Sequence, residues 1–214
     1  MEGLKKLSDV VGVDSIGWRY DPIFIDKKHS VEWHISEFEK MAENLAGYTK
    51  TCVISFIDIY KKVERNFPEA KSVRAEDRAM IGKAFVKIAS KYGMVLRPCA
   101  EGEELAQYGA DCSGCMTVHT FETALHSRLE VPKRKKNQRN GECACLLGTD
   151  IGAYDTCGHL CKYCYANVNP VLVKENMRKH NPASPFLIGG HMSGDIVREA
   201  KQESWIDRQI RLEF

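Results

Sequence analysis

The segment Cys157-Gly158-His159-Leu160-Cys161-Lys162-Tyr163-Cys164 puts three thiols in one short loop, separated by three and then by two residues. Thiolates at that spacing can wrap a single loop around three corners of a cubane iron–sulfur cluster and leave the fourth iron without a cysteine from the loop. An iron left in that way can bind a substrate. The same three thiols, joined by His159 or Cys145, would make a four-ligand zinc site, although zinc ligands usually arrive as separated pairs. Two further groups lie upstream: the C-x-x-C pair Cys112-Ser113-Gly114-Cys115, and Cys143-Ala144-Cys145. With Cys99 these are candidates for a second metal site. The plainer reading makes them uncommitted thiols, and no thioredoxin-like context surrounds the C-x-x-C pair. The chain has nine cysteines, an odd number that argues against a fully paired disulfide framework. Cys52, inside an apolar run, reads as core.

The elements that must position these thiols alternate. Ser15 to Tyr20 reads as a strand stopped at Asp21-Pro22, and Val31 to Ala46 repeats apolar residues at helical spacing. Thr51 to Ile57 is a β-branched run too apolar for a one-sided sheet. Glu76 to Tyr92 is amphipathic and ends at Gly93, and Met94 to Arg97 reads as a third strand. Strand followed by helix, repeated, predicts an α/β fold with a parallel sheet, here a partial (β/α) barrel-like one. Working residues of such folds gather beyond the C-terminal strand ends. The candidates there are Arg19, Tyr20 and Asp21 after the first strand, Asp58 after the second, and Arg97 with Cys99 after the third. Each, taken singly, reads equally well as a surface charge or helix cap.

From about Pro98 the composition turns to Gly, Cys and polar residues, with one helical piece around Phe121 to Leu129. The expected division is 1–110 as the sheet portion and 111–214 as a cysteine-rich segment packed on the same sheet, or one domain overall. Within that segment Asp150 to Asp155 is expected as the strand feeding the cysteine loop, Asn169-Pro170 as the opening of a helix through His180, and Ser184 to Gly190 as a short strand. A net charge of +2 marks no global field for nucleic acid or membrane surfaces. The basic run Lys133 to Arg139 lacks interleaved aromatics and reads as a solvated loop. No signal-peptide core or bilayer-spanning stretch is visible, so cytoplasmic location is the default expectation.

With Tyr163 directly before the last cysteine, the loop resembles the C-x-x-x-C-x-aromatic-C pattern of the radical S-adenosylmethionine superfamily. The resemblance implies a [4Fe-4S] cluster on Cys157, Cys161 and Cys164, whose open iron chelates the amino and carboxylate groups of S-adenosylmethionine. It further implies reductive cleavage to a 5′-deoxyadenosyl radical, with a flavodoxin or ferredoxin as electron donor and a substrate that stays unknown. Gly189 and Gly190 match the superfamily's Gly-Gly-Glu segment in part, with His191 in place of the glutamate. Trp18 to Ile23, Ile54 to Asp58, Lys136 to Arg139, Asp150 to Cys157, Ser184 to Gly189 and Glu199 to Gln202 together resemble a prokaryotic family, domain of unknown function 1848. That family carries a radical-type cysteine cluster near the C-terminus, which implies that the segment from about Cys145 to Gly190 rebuilds the site in permuted order beside the sheet. Its members begin with a further stretch, including an arginine-rich strand. The expectation is therefore a truncated or split form, with a partner chain supplying strands. Three functions stay open at this stage: a radical enzyme, a non-catalytic iron–sulfur protein for electron transfer or redox sensing, and a zinc-stabilised interaction module.

Overall fold

The computed structural model of the chain describes residues 1–132, 145–146, 152–199 and 203–209. The fold is α/β: three parallel strands, β1 (Gly17–Ile23), β2 (Thr51–Phe56) and β3 (Val95–Pro98), lie in the order β1-β2-β3. The helices among the described residues are α1 (Glu2–Val11), α2 (Val31–Leu45), α3 (Lys61–Asn66), α4 (Ala75–Lys91), α5 (Val118–Leu125) and α6 (Pro170–Lys179). Parallel pairing follows from the connections, since a strand can re-enter the sheet in the same direction only after a long crossover. Here α2 joins β1 to β2, and α3 with α4 joins β2 to β3. Among the described residues no helix is long and apolar enough to cross a membrane.

The register sets Trp18 beside Cys52 beside Leu96, and Arg19 beside Val53 beside Arg97. Side chains alternate across a strand, so these two rows look to opposite faces. The first face is the core. Trp18 stacks on Phe38 of α2 at a ring separation of 4.9 Å, Phe38 stacks on Phe85 of α4 at 3.7 Å, and Tyr20 meets Phe85 edge-on. Ser30 opens α2 by accepting the Trp33 N–H, and Gly93, at a φ of 72°, lets the chain leave α4 so that Met94 can donate back to the Ala89 carbonyl.

β1 does not stop at Asp21-Pro22, as the sequence led one to expect, but runs on to Ile23. It is an edge strand, and its register with β2 shifts between Tyr20 and Ile23, so the missing proline N–H falls where the ladder is already interrupted.

The contacts divide the chain into two units. The first comprises Met1–Asp58, Lys71–Gly148 and Ser204–Phe214, the second Ile59–Ala70 and Thr149–Glu203. All three strands belong to the first. The second holds α3, α6 and the three-cysteine loop, and no strand among its described residues. Two expected strands are therefore corrected. Tyr154 and Asp155 form a turn, with Asp150 and Ile151 outside the described residues. Ser184 to Gly189 is a series of bends in which the Phe186 N–H donates to Ser184 Oγ and the Gly189 N–H to the Lys179 carbonyl. Phe186 and Leu187 are each 45% exposed, so the apolar run there is not buried as a sheet strand would be.

Candidate cysteine centres

In the second unit the loop of Cys157, Cys161 and Cys164 is held at its base. Asp155 sits at positive φ and its carboxylate accepts the N–H groups of Val168, at 2.5 Å, and Asn169, at 2.8 Å. Those two hydrogen bonds hold the carboxyl below its ordinary range. Asn176 of α6 donates to the Asp155 carbonyl at 3.0 Å, and Asn169 caps α6 by accepting from Val171 and Leu172. On the other side Tyr60 donates to the Tyr163 carbonyl, Lys62 of α3 donates to the Asn167 carbonyl, and Lys162 pairs with Glu69 at 2.8 Å. A Cβ at Gly158 would stand 2.6 Å from the Met177 sulfur of α6, so that flexible side chain would have to shift to admit one.

Cys157 and Cys161 are exposed, Cys164 is half-buried, and none of the three forms a disulfide. Cys161 and Cys164 are linked by a turn in which the Cys164 N–H donates to the Cys161 carbonyl at 3.0 Å. Asn167 steadies both ends of the loop, its N–H donating to Cys164 Sγ at 3.4 Å and its side-chain amide to the Cys157 carbonyl at 2.6 Å. A backbone N–H aimed at sulfur is the kind of contact that surrounds cluster-ligating sulfurs. The donor set therefore suits an iron–sulfur cluster: three unbridged thiols on one anchored, accessible loop. An open cleft of about 470 Å³ adjoins the loop, lined in part by Cys161, Leu160, Lys162 and Arg65. Tyr163 turns its carbonyl to Tyr60 and packs its ring on the Tyr60 ring at 5.8 Å. Gly189 takes a φ of 66° at the end of α6, and Gly190 follows it in open space.

Of the charges expected beyond the strand ends, Arg19 and Asp21 lie instead within β1 and Arg97 within β3, on the second face of the sheet. Arg19 forms a forked pair with Asp21 at 2.5 and 3.0 Å. Burial works against its charge, but Asp21 and then Cys99 outweigh burial and keep the guanidinium protonated. Arg97 pairs with Asp111 at 3.1 Å and donates to Thr120 at 2.6 Å, while its buried Nε finds no partner among the described residues. Asp58 is exposed just past β2 and joins neither pair.

Between the two arginines sits Val53, and over it pack Cys115, Cys145 and Cys99. Cys115 Sγ is 3.4 Å from Cys145 Sγ and 3.8 Å from Cys99 Sγ, and Arg19 Nη1 lies 3.9 Å from it. The contact with Cys99, then burial, then the contact with Cys145 push the Cys115 thiol upward. Of the five cysteines grouped from the sequence as a second site, three thus meet. Cys112 turns instead to the Ala110 carbonyl, and Cys143 lies outside the described residues, as does the basic run from Lys133 to Arg139. Among the described residues no group of three or more His, Cys, Asp or Glu side chains is arranged to hold a metal ion.

Sequence reasoning passed over Glu101. Its carboxylate accepts the Phe56 N–H at 2.7 Å and pairs with Arg78 of α4 at 2.6 Å, closing the C-terminal end of β2. Burial raises its pKa, against the pull of those two partners. The signal available beforehand was its place just past the third strand, close to Glu103 and Glu104.

An α/β chain with a three-strand parallel sheet and two cysteine-bearing segments is thereby defined. The chain belongs to the family described as domain of unknown function (DUF1848), whose model matches residues 1–166 and so takes in all three cysteines of the loop. No curated protein and no solved structure matches it.

Proposed function

We propose that this chain is an iron–sulfur protein in which Cys157, Cys161 and Cys164 hold a four-iron cluster, and that it works as a radical S-adenosylmethionine-type enzyme. The observation that carries the reading is the loop itself: three unpaired, accessible thiols between two anchors, with an N–H already directed at Cys164 Sγ. Such a cluster, when bound, supplies an open iron for the amino and carboxylate groups of S-adenosylmethionine and the electron that cleaves its sulfonium. The chain's own residues hold the frame. Asp155 and Asn169 fix the base of the loop to α6, Tyr60 and Lys62 fix its far side, and the cationic Lys162 and Arg65 border the adjoining cleft. Cations beside the cleft suit a ligand with a carboxylate.

Anaerobic reconstitution followed by iron and sulfide analysis tests the cluster, and electron paramagnetic resonance with and without S-adenosylmethionine tests its open iron. About four irons per chain are expected, with alanine at Cys157, Cys161 or Cys164 abolishing them and S-adenosylmethionine shifting the reduced spectrum. Tightly bound zinc without iron or sulfide would overturn the proposal. A cluster whose spectrum ignores S-adenosylmethionine would leave the electron-transfer reading in its place.

A further inference from the structure

We propose that Cys99, Cys115 and Cys145 together bind a single thiophilic metal ion, with zinc(II) as the ion their number and spacing fit. The site shares no residue with the loop of Cys157, Cys161 and Cys164, and it stands or falls independently of the function proposed for that loop.

The spacing is the first ground. Two thiolates bound tetrahedrally to zinc, each about 2.3 Å from it, stand about 3.8 Å apart. The observed separations from Cys115 are 3.8 Å to Cys99 and 3.4 Å to Cys145. A disulfide would need about 2 Å. In a cubane cluster each thiolate takes its own iron, so the sulfurs are set further apart than these.

Construction from three remote segments is the second ground. Cys99 continues β3, its N–H donating to the Ile54 carbonyl at 2.8 Å. Cys115 lies just beyond the turn that follows Asp111, whose N–H donates to the Leu96 carbonyl at 2.9 Å. Cys145 is tied beside it by the Leu146 N–H, which donates to the Met116 carbonyl at 2.8 Å. Main-chain bonds thus anchor the three segments, whose cysteines pack over Val53, the central position of the sheet's second face.

Charge is the third. Three thiolates on a dication leave one net negative charge, and burying it requires compensation. Arg19 supplies a guanidinium 3.9 Å from Cys115 Sγ and interacts with Cys99, and the Met116 N–H points at Cys145 Sγ from 3.3 Å. Donors of this kind around the ligating sulfurs are what metal–thiolate sites use to tune affinity. Since no three His, Cys, Asp or Glu side chains among the described residues are already arranged to hold an ion, binding requires the thiols of Cys99, Cys115 and Cys145 to rearrange around it. Three thiol protons leave to solvent as the ion enters, no electrons move, and the fourth position is left to water or an incoming ligand.

The full-length chain with alanine at Cys157, Cys161 and Cys164, stripped with chelator under reducing conditions, is titrated with cobalt(II). The expected result is one ion per chain, a sulfur-to-cobalt charge-transfer band, and displacement of the cobalt by zinc. Cys115→Ser and Cys99→Ser are each expected to weaken binding beyond the about 10- to 100-fold typical of losing an outer-shell partner. Arg19→Gln keeps the band but falls within that range, and Cys52→Ser, a buried thiol elsewhere on β2, binds like its parent. Circular dichroism monitors folding; should Cys115→Ser not fold, Cys99→Ser decides, because Cys99 is only half-buried. Failure of the triple-alanine chain to take up cobalt, or a band that survives the loss of Cys99, overturns the proposal.

Discussion

His34 occupies a position in which both ring nitrogens are committed. Its Nε2 faces the Phe24 carbonyl at 2.7 Å and so must carry the proton, leaving Nδ1 to accept from the Tyr20 hydroxyl at 2.8 Å. The ring is 3% exposed, and burial lowers its pKa from the ordinary 6.5. Below pH 6.5 the unfolded chain binds a proton at this residue more readily than the folded one does. Its contribution is therefore complete above that pH and is lost as the pH falls from there through the folded-state value. Urea unfolding between pH 7.5 and pH 5, about the range over which histidine titrates, should show stability declining with acid in the parent. That part of the slope should be missing from His34→Gln. An unchanged slope in the variant would assign the acid sensitivity to other groups. Nothing in the sequence singled this histidine out, because its partners come from β1 and the loop that follows it.

At the level of elements, α6 shows how a local sequence signal and a site depend on each other. Asn169-Pro170 marks the start legibly: the asparagine side chain accepts from Val171 and Leu172, and the proline stands at the first helical position, where no N–H is needed. Asn169→Ala should cost about 1 kcal/mol of helix stability. Faster hydrogen exchange in Val173 to Met177 would report it, along with Asn176, which holds the Asp155 carbonyl at the loop's base. Exchange rates equal to those of the parent would mean that the cap is dispensable. Other elements were less legible. α1 carries Leu4, Leu7 and Val11 at helical spacing, yet Leu7 is 52% exposed, so no buried stripe announced it. α3 is six residues long, too short for a periodicity to register. The strand expected at Ser184 to Gly190 failed for the opposite reason: β-like composition with no strand partner among the described residues, in a segment where the Phe186 N–H goes to the Ser184 side chain and the Gly189 N–H to the end of α6.

For the molecule as a whole, the two units distribute stability and chemistry differently. The first holds the aromatic stack of Trp18, Phe38 and Phe85, with the last two fully buried. Phe38→Ala should cost about 3–5 kcal/mol, the range for deleting a buried aromatic side chain, read as a lower urea midpoint. In the metal-free chain Cys157→Ala, at an exposed position, should change the stability read from the same curve by less than about 0.5 kcal/mol. A large loss there would mean that the loop supports the fold rather than only a cofactor.

By itself the sequence determined the α/β class, the three strands to within a few residues, helices α2, α4 and α6, and the spacing of Cys157, Cys161 and Cys164. Those features are written in periodicity, caps and short-range spacing, which act between residues a few positions apart. Only the tertiary structure decided that Arg19, Val53 and Arg97 form one row across the sheet, since that depends on strand register. It alone brought Cys99, Cys115 and Cys145 together over the middle of that row, choosing three thiols from the five the sequence had grouped. Ladder bonds and burial against Val53 place those sulfurs, and both arise between segments far apart in the chain.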